Sequence, residues 1–233
     1  MTLFQEKTYT CPICEEEVPG ADLQSTNQVG QYTDFCPITM GFHAVPLVIQ
    51  ACRNCGYAGY AFDFEGRSFT PAEKLAFLDA KIPEGLIPLE ARLETLEPDH
   101  EYYLACLTRR YFGAPAQELG DLLLKASWCL RLEGGRPNDD VAASRYRREA
   151  IREFECALRT KEGDDDRKRE ILYLLAELNR RQGDFERAET FFSAFLDDPP
   201  PEKEWTRAAR VLLETSRAGD AADHTFEEVL GKT

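Results

Sequence analysis

Two Cys-x-x-Cys pairs, Cys11-Pro12-Ile13-Cys14 and Cys52-Arg53-Asn54-Cys55, are the residues of this chain whose type and spacing imply chemistry most specifically. A Cys-x-x-Cys turn lets two sulfurs converge while backbone N–H groups point at them. Two such turns can place four thiolates in a tetrahedron at the distance zinc requires. The expectation is one structural zinc ion per chain, held by Cys11, Cys14, Cys52 and Cys55. Gly56 follows the second pair and permits the left-handed backbone that closes such a turn; Glu15 stands at the same place after the first. The competing chemistry is a thioredoxin-like redox pair, which sits at a helix start beside a βαβ unit. Neither pair here opens a helical pattern.

The remaining cysteines carry weaker signals. Cys36, in Asp34-Phe35-Cys36-Pro37, lies in the same segment. It reads as a buried small hydrophobe, a substitute ligand, or a thiol near the metal, with the first favoured. His43 is a candidate partner for it, and a hydrogen-bonded loop residue otherwise. Cys106 and Cys129 fall on apolar helical faces; Cys156 lies off its helix's stripe. No Gly-rich phosphate loop, His-Glu-x-x-His, Gly-x-Ser-x-Gly or dinucleotide fingerprint occurs. The three histidines, His43, His100 and His224, are few for acid–base work, and four thiolates leave zinc no open position for water. The chain is therefore expected not to be an enzyme.

The elements that must position these sulfurs are short strands. Residues 1–66 read as strands and turns: Lys7–Thr10 leads into the first pair, Val45–Gln50 into the second, and Tyr57–Phe64 leaves it. The 37 residues between Cys14 and Cys52 leave room for an insertion with a strand near Val29–Phe35. A strand entering and a strand leaving each pair is the plan of a zinc ribbon. Composition changes at Ser68–Pro71. Thr70 is an N-cap, Pro71 suits the first helical position, and Glu73 completes a capping box.

From there the chain reads as helix, near 71–81, 99–112, 118–133, 139–161, 166–182, 184–197, 202–217 and 223–230. Prolines 83, 88 and 98 mark a looser connection at 82–98. The run Asp164-Asp165-Asp166 reads as an acidic helix start. The fold class is thus α+β and mostly α, with a ribbon-like domain at 1–66, a connecting helix and linker at 67–98, and a helical domain at 99–233.

Residues 172–200 carry Leu172, Leu175, Ala176, Gly183-Asp184-Phe185, Ala188, Phe192 and Pro200. Small residues where two helices cross, large ones between, and a terminal proline resemble a tetratricopeptide repeat. A degenerate unit precedes it, from Leu122 to Leu158. On that geometry Glu170, Tyr173, Glu177 and Arg180 of the first helix would face a concave partner groove. Tyr173 stands where carboxylate-clamp repeats place Asn, so capture of a C-terminal carboxylate is not expected.

Thr10-Cys11-Pro12-Ile13-Cys14, Asp34-Phe35-Cys36 and Cys52-Arg53-Asn54-Cys55-Gly56-Tyr57-Ala58, followed by helices that include Leu124-Lys125-Ala126-Ser127-Trp128, resemble the bacterial domain of unknown function 2225 family. The similarity spans most of the chain. It implies a bacterial cytoplasmic protein, zinc at the paired cysteines, and no established activity. Glu15 departs from the glycine that often follows the first pair, and His43-Ala44-Val45-Pro46 from the usual Asn-Pro turn.

Net charge is −14. Up to residue 70 three cations face eight carboxylates. Such a surface repels phosphate backbones and anionic headgroups and suits protein or peptide partners. The N-terminal residues lack the apolar core of a signal peptide, and no run is long enough to span a bilayer. The leading expectation is a non-catalytic, zinc-stabilised protein-interaction scaffold in the cytoplasm. The alternatives are a nucleic-acid-binding ribbon, which the local charge opposes, and a thiol or metal sensor using Cys36.

Overall fold

Each cysteine pair closes a β-hairpin. Strands β1 (Leu3–Thr10) and β2 (Glu17–Ser25) run antiparallel with Tyr9 opposite Val18, and the first pair forms their connection. Strands β5 (Ile49–Ala51) and β6 (Ala58–Tyr60) pair with Ala51 opposite Ala58, and the second pair lies between them. Between the hairpins, β3 (Gln28–Gln31) pairs with β4 (Pro37–Thr39). These features come from a computed structural model that describes residues 3–85, 93–135, 139–198 and 204–231. The expected linker positions 86–92, including Pro88, and the expected repeat end at Pro200 lie outside the described residues, as do residues 202 and 203 of the expected 202–217 helix.

The rest is helical: α1 (Ala61–Glu65), α2 (Pro71–Asp79), α3 (Pro98–Tyr111), α4 (Ala116–Glu133), α5 (Asp139–Thr160), α6 (Asp165–Arg181), α7 (Phe185–Asp197), α8 (Glu204–Arg217) and α9 (Phe226–Leu230). The chain is thus mostly helical with a small N-terminal antiparallel β region. Among the described residues, no helix is long and apolar enough to cross a membrane.

The local signals explain most boundaries. Thr70 caps α2 through its hydroxyl, which accepts from the Glu73 N–H at 3.3 Å, while the Glu73 carboxylate accepts from the Thr70 N–H at 2.7 Å. Asp164 caps α6 by accepting from the Arg167 N–H at 2.8 Å. Gly183, at φ +77°, ends α6; the Asp184 N–H then donates back to the Asn179 carbonyl.

Three expected strands are shorter than the residue types suggest. Over Val45–Gln50, a 3₁₀ turn takes Val45–Leu47 because Pro46 fixes φ and lacks a ladder N–H, so β5 begins only at Ile49. Over Tyr57–Phe64, the Asp63 carboxylate accepts from the Tyr60 N–H at 2.9 Å and turns the chain from β6 into α1. The expected strand at Val29–Phe35 is confined to β3, because Phe35 adopts φ +68° in the turn that follows.

The chain forms two compact units. The first comprises Met1–Asn27, Thr39–Ala114 and Asp121–Ala143; the second comprises Gln28–Ile38, Pro115–Gly120 and Ser144–Thr233. The core of the first gathers Tyr9, Ile13, Val18, Tyr57, Phe64 and Phe77 around the paired cysteines. The core of the second stacks α6, α7, α8 and α9 through Tyr173, Ala176, Ala188, Phe192, Phe195, Ala208, Ala209 and Leu212. Alanines at the crossings let backbones approach, and the rings fill the space beside them. Gly120 in α4 serves the same purpose for the second unit: a Cβ there would lie 2.6 Å from the Phe154 ring.

Candidate metal centre

The two hairpins of the first unit bring their cysteine turns face to face. The four sulfurs of Cys11, Cys14, Cys52 and Cys55 all lie within 4.8 Å of one another. Cys11 Sγ is 3.5 Å from Cys55 Sγ, and Cys14 Sγ is 3.5 Å from Cys52 Sγ. A regular tetrahedron with metal–sulfur bonds of about 2.3 Å has sulfur–sulfur edges of about 3.8 Å. The cage therefore has the size of a four-thiolate metal site. Each close contact joins one hairpin to the other, as a shared ion requires.

The two turns are near copies in their backbone bonds. Cys11 N–H donates to the Glu16 carbonyl at 2.9 Å, and Cys52 N–H to the Tyr57 carbonyl at 2.8 Å. Glu15 N–H donates to the Cys11 carbonyl at 3.0 Å, and Gly56 N–H to the Cys52 carbonyl at 2.9 Å. Closing these rings forces the residue after each pair into the left-handed region: Gly56 has φ +77° and Glu15 has φ +65°. Glycine enters that region freely, whereas glutamate does so against its Cβ. The sequence departure at Glu15 thus leaves the turn geometry intact.

The thiols of Cys11, Cys52 and Cys55 bias one another's ionisation. Cys52 is held well below the usual thiol range, mainly because Cys11 and then Cys55 donate to it. Cys11 is pushed up chiefly by its bond to Cys52, and Cys55 by its bonds to Cys11 and Cys52. Four negative sulfurs cannot share this buried space by themselves; a dication is the natural way to stabilise several thiolates together. Backbone N–H groups of Ile13 and Cys14 favour the Cys11 thiolate, and those of Asn54 and Cys55 the Cys52 thiolate. Tyr9, Tyr57, Phe64 and Phe77 wall the core in which the sulfurs lie, so the site is apolar beyond its ligands.

Both turns also grip helices. Arg53, between the second pair of ligands, donates to the carbonyls of Leu93 at 3.2 Å and Leu96 at 3.3 Å, and to Glu101 on α3 at 3.3 Å. Glu15 accepts from Lys74 on α2 at 2.7 Å. Beyond the second turn, Ala58 N–H donates to Thr108 Oγ1 at 3.3 Å, and Arg109 grips both Asp63 oxygens at 2.9 and 2.7 Å. Tyr102 donates to the Val45 carbonyl at 2.9 Å. The cysteine turns are therefore keyed to α2 and α3 by polar bonds for which there is no spacing signal, apart from the position of Arg53 inside the motif.

Other residues of interest lie elsewhere. Cys36 is fully buried in the second unit and is not one of the clustered sulfurs. His43 belongs to no metal-ligand cluster among the described residues; its Nδ1 lies 3.2 Å from Thr39 Oγ1.

The expected partner groove is also relocated. Glu170 is partly exposed and pairs with Arg167 at 3.0 Å, but Tyr173, Glu177 and Arg180 are each 0% exposed. Arg180 holds both Glu177 oxygens at 2.8 and 2.7 Å and donates to the carbonyls of Asp220 and Ala222 at 2.7 and 2.8 Å. Thr33 donates to Glu177 Oε1 at 2.6 Å. Tyr173 stacks on Phe35 with ring centroids 5.1 Å apart. Residues 33–35 and 220–226 thus cover the face that repeat geometry would leave open, and the three side chains hold that cover in place.

The family model described as "Uncharacterized protein conserved in bacteria (DUF2225)" matches residues 4–215, and the chain belongs to this family. No curated protein and no solved structure matches the chain.

Proposed function

We propose that the chain is a non-catalytic protein-interaction scaffold whose first unit is a zinc ribbon braced by one structural ion. The observation that carries this reading is the four-sulfur cage, sized for a tetrahedral ion and embedded in aromatic core. Cys11, Cys14, Cys52 and Cys55 fill four coordination positions, so a bound zinc would keep no place for an attacking water. Zinc in such a site supplies cross-linking charge to short hairpins that bury too little on their own. The helices of the second unit suit the scaffold part. The α6–α7 pair, joined at Gly183-Asp184 and crossing at Ala176 and Ala188, supports a tetratricopeptide-like arrangement continued by α8. That none of the eight cysteines is joined in a disulfide suits a reducing cytoplasm.

Native mass spectrometry tests the brace. One zinc per chain is expected, lost to chelator together with the first unit's tyrosine circular dichroism. A chain that takes up no metal, or that binds an ion exchangeable with small anions as an open site would be, overturns this reading. Co-purification from bacterial lysate with and without chelator tests the scaffold role; failure of the intact protein to retain any specific partner removes it.

A further inference from the structure

Resting on the scaffold reading, we infer that the second unit carries a trough for a basic, extended peptide segment, with a lysine or arginine side chain set against the corner that Phe35 makes with Trp205. These two half-buried rings stand edge to face, centroids 5.7 Å apart and planes at 78°, on the wall of a cavity of about 510 Å³. Two perpendicular rings form a corner whose faces attract a cation. The carboxylates of Asp164, Asp166 and Glu170 line the same cavity, and Arg167 is its one cationic lining group among the described residues. That guanidinium is engaged by Glu170 at 3.0 Å and by Gln117 Oε1 at 3.3 Å, and Asp166 in turn pairs with Arg169 at 3.1 Å, so the carboxylates of the lining still outnumber its guanidinium. The cavity therefore favours a positive guest. The positive end of the α6 dipole would oppose one, but Asp164 caps it.

A second depression, of about 600 Å³, meets the first at Gln31. All four residues of β3 line it, with Phe226 and Leu230 of α9 also contributing. Glu204 and Glu227 outnumber Arg207 there. Four residues of strand extend about 13 Å, a length that matches an extended peptide and far exceeds a single small cation. Charge complementarity and this length select a basic peptide as the occupant.

The test is calorimetric titration of the intact, zinc-loaded protein with tetralysine. Its lysine-acetylated form, tetraglutamate and tetramethylammonium serve as comparisons. Tetralysine is expected to bind, and the acetylated and acidic peptides are not. Asp166→Asn with Glu170→Gln should weaken tetralysine at least tenfold. An equal charge change on the exposed face of α7, Glu186→Gln with Asp197→Asn, should leave it unchanged. Equal weakening by both pairs would mean only the general field of a −14 chain, and would overturn the trough. So would absence of binding, or tetramethylammonium binding as tightly as the peptide. A natural partner that the Asp166→Asn/Glu170→Gln protein still retains leaves the scaffold reading standing and removes the trough alone.

Discussion

The two units solve the problem of a small core differently. The first has hairpins whose strands shrink to three residues at β5 and β6, and it converges on four sulfurs. The second has helices of 13 to 17 residues in α6, α7 and α8, which satisfy their own backbones and converge on rings and on the buried ion pairs Glu177–Arg180 and Asp34–Arg181. On the zinc-brace reading, an ion supplies the cohesion that the three-residue strands β5 and β6 do not. Helices need none, and can instead use interior charge to fix one arrangement of a covering segment. Metal dependence should therefore be confined to one unit and charge-pair dependence to the other.

The largest expected effect tests that division directly. A structural zinc contributes on the order of 10 kcal/mol to a fold that needs it. Chelation, or Cys52→Ser, should deprotect the amides of residues 9–18 and 49–60 in hydrogen-exchange mass spectrometry while those of α6–α8 keep their protection. Simultaneous loss across both sets would break the comparison.

Next comes the Glu177–Arg180 pair, whose side chains are fully buried. Glu177→Gln leaves a guanidinium without its counter-charge and should cost about 3–5 kcal/mol in urea unfolding of the helices. Zinc content should stay at one ion; a fall in zinc would show that the two cores are not energetically separate.

A smaller effect is the pH dependence of the first unit. Glu101, with a side chain 17% exposed, has its carboxyl pushed up from 4.5 to about 7, mainly by burial and against the pull of Arg53. A pKa raised in the folded state contributes stability that is fully present below the unfolded value, near pH 4.5. That contribution is lost as pH rises through about 7. Denaturation followed between pH 5.5 and 8, with zinc retained, should show a decline on the order of 1–3 kcal/mol that Glu101→Gln flattens. An unchanged slope in the variant would place the titration elsewhere.

The smallest effects separate the two cysteine turns. Gly56→Ala places a Cβ at φ +77° and 2.2 Å from Pro83 Cγ, and should destabilise by roughly 1–3 kcal/mol. Glu15→Gly relieves left-handed strain of about 1 kcal/mol but gives up the exposed Lys74 pair and adds glycine entropy, for a net change within about 0.5 kcal/mol. Thermal melts of the two variants should differ clearly; equal shifts would undo the distinction between the turns.

Much of the centre was legible from spacing alone, because a ligand pair and the turn that presents it are local in sequence. The capping box at Thr70 and the acid cap at Asp164 were legible for the same reason. The partner-groove face was not. The period of α6 places Tyr173, Glu177 and Arg180 on one stripe, but it does not say whether that stripe meets solvent or residues 33–35 and 220–226. Likewise, β-branched residues over Val45–Gln50 suggested a strand that Pro46, the local bond from Gln50 to the Leu47 carbonyl and the long-range bond from Tyr102 to the Val45 carbonyl turned into something shorter.

What the sequence by itself determined is the ligand set, the helix starts and stops, and the acidic character, since each depends on residue type within a few positions. What only the tertiary structure decided is which faces are interior: the covering of α6, the Arg53 latch to α3 and the corner of Phe35 with Trp205. The reason is physical. Burial and partner choice depend on segments up to 191 positions apart, as in the bond from Thr33 to the His224 carbonyl, and local periodicity carries no information about which distant segment will arrive.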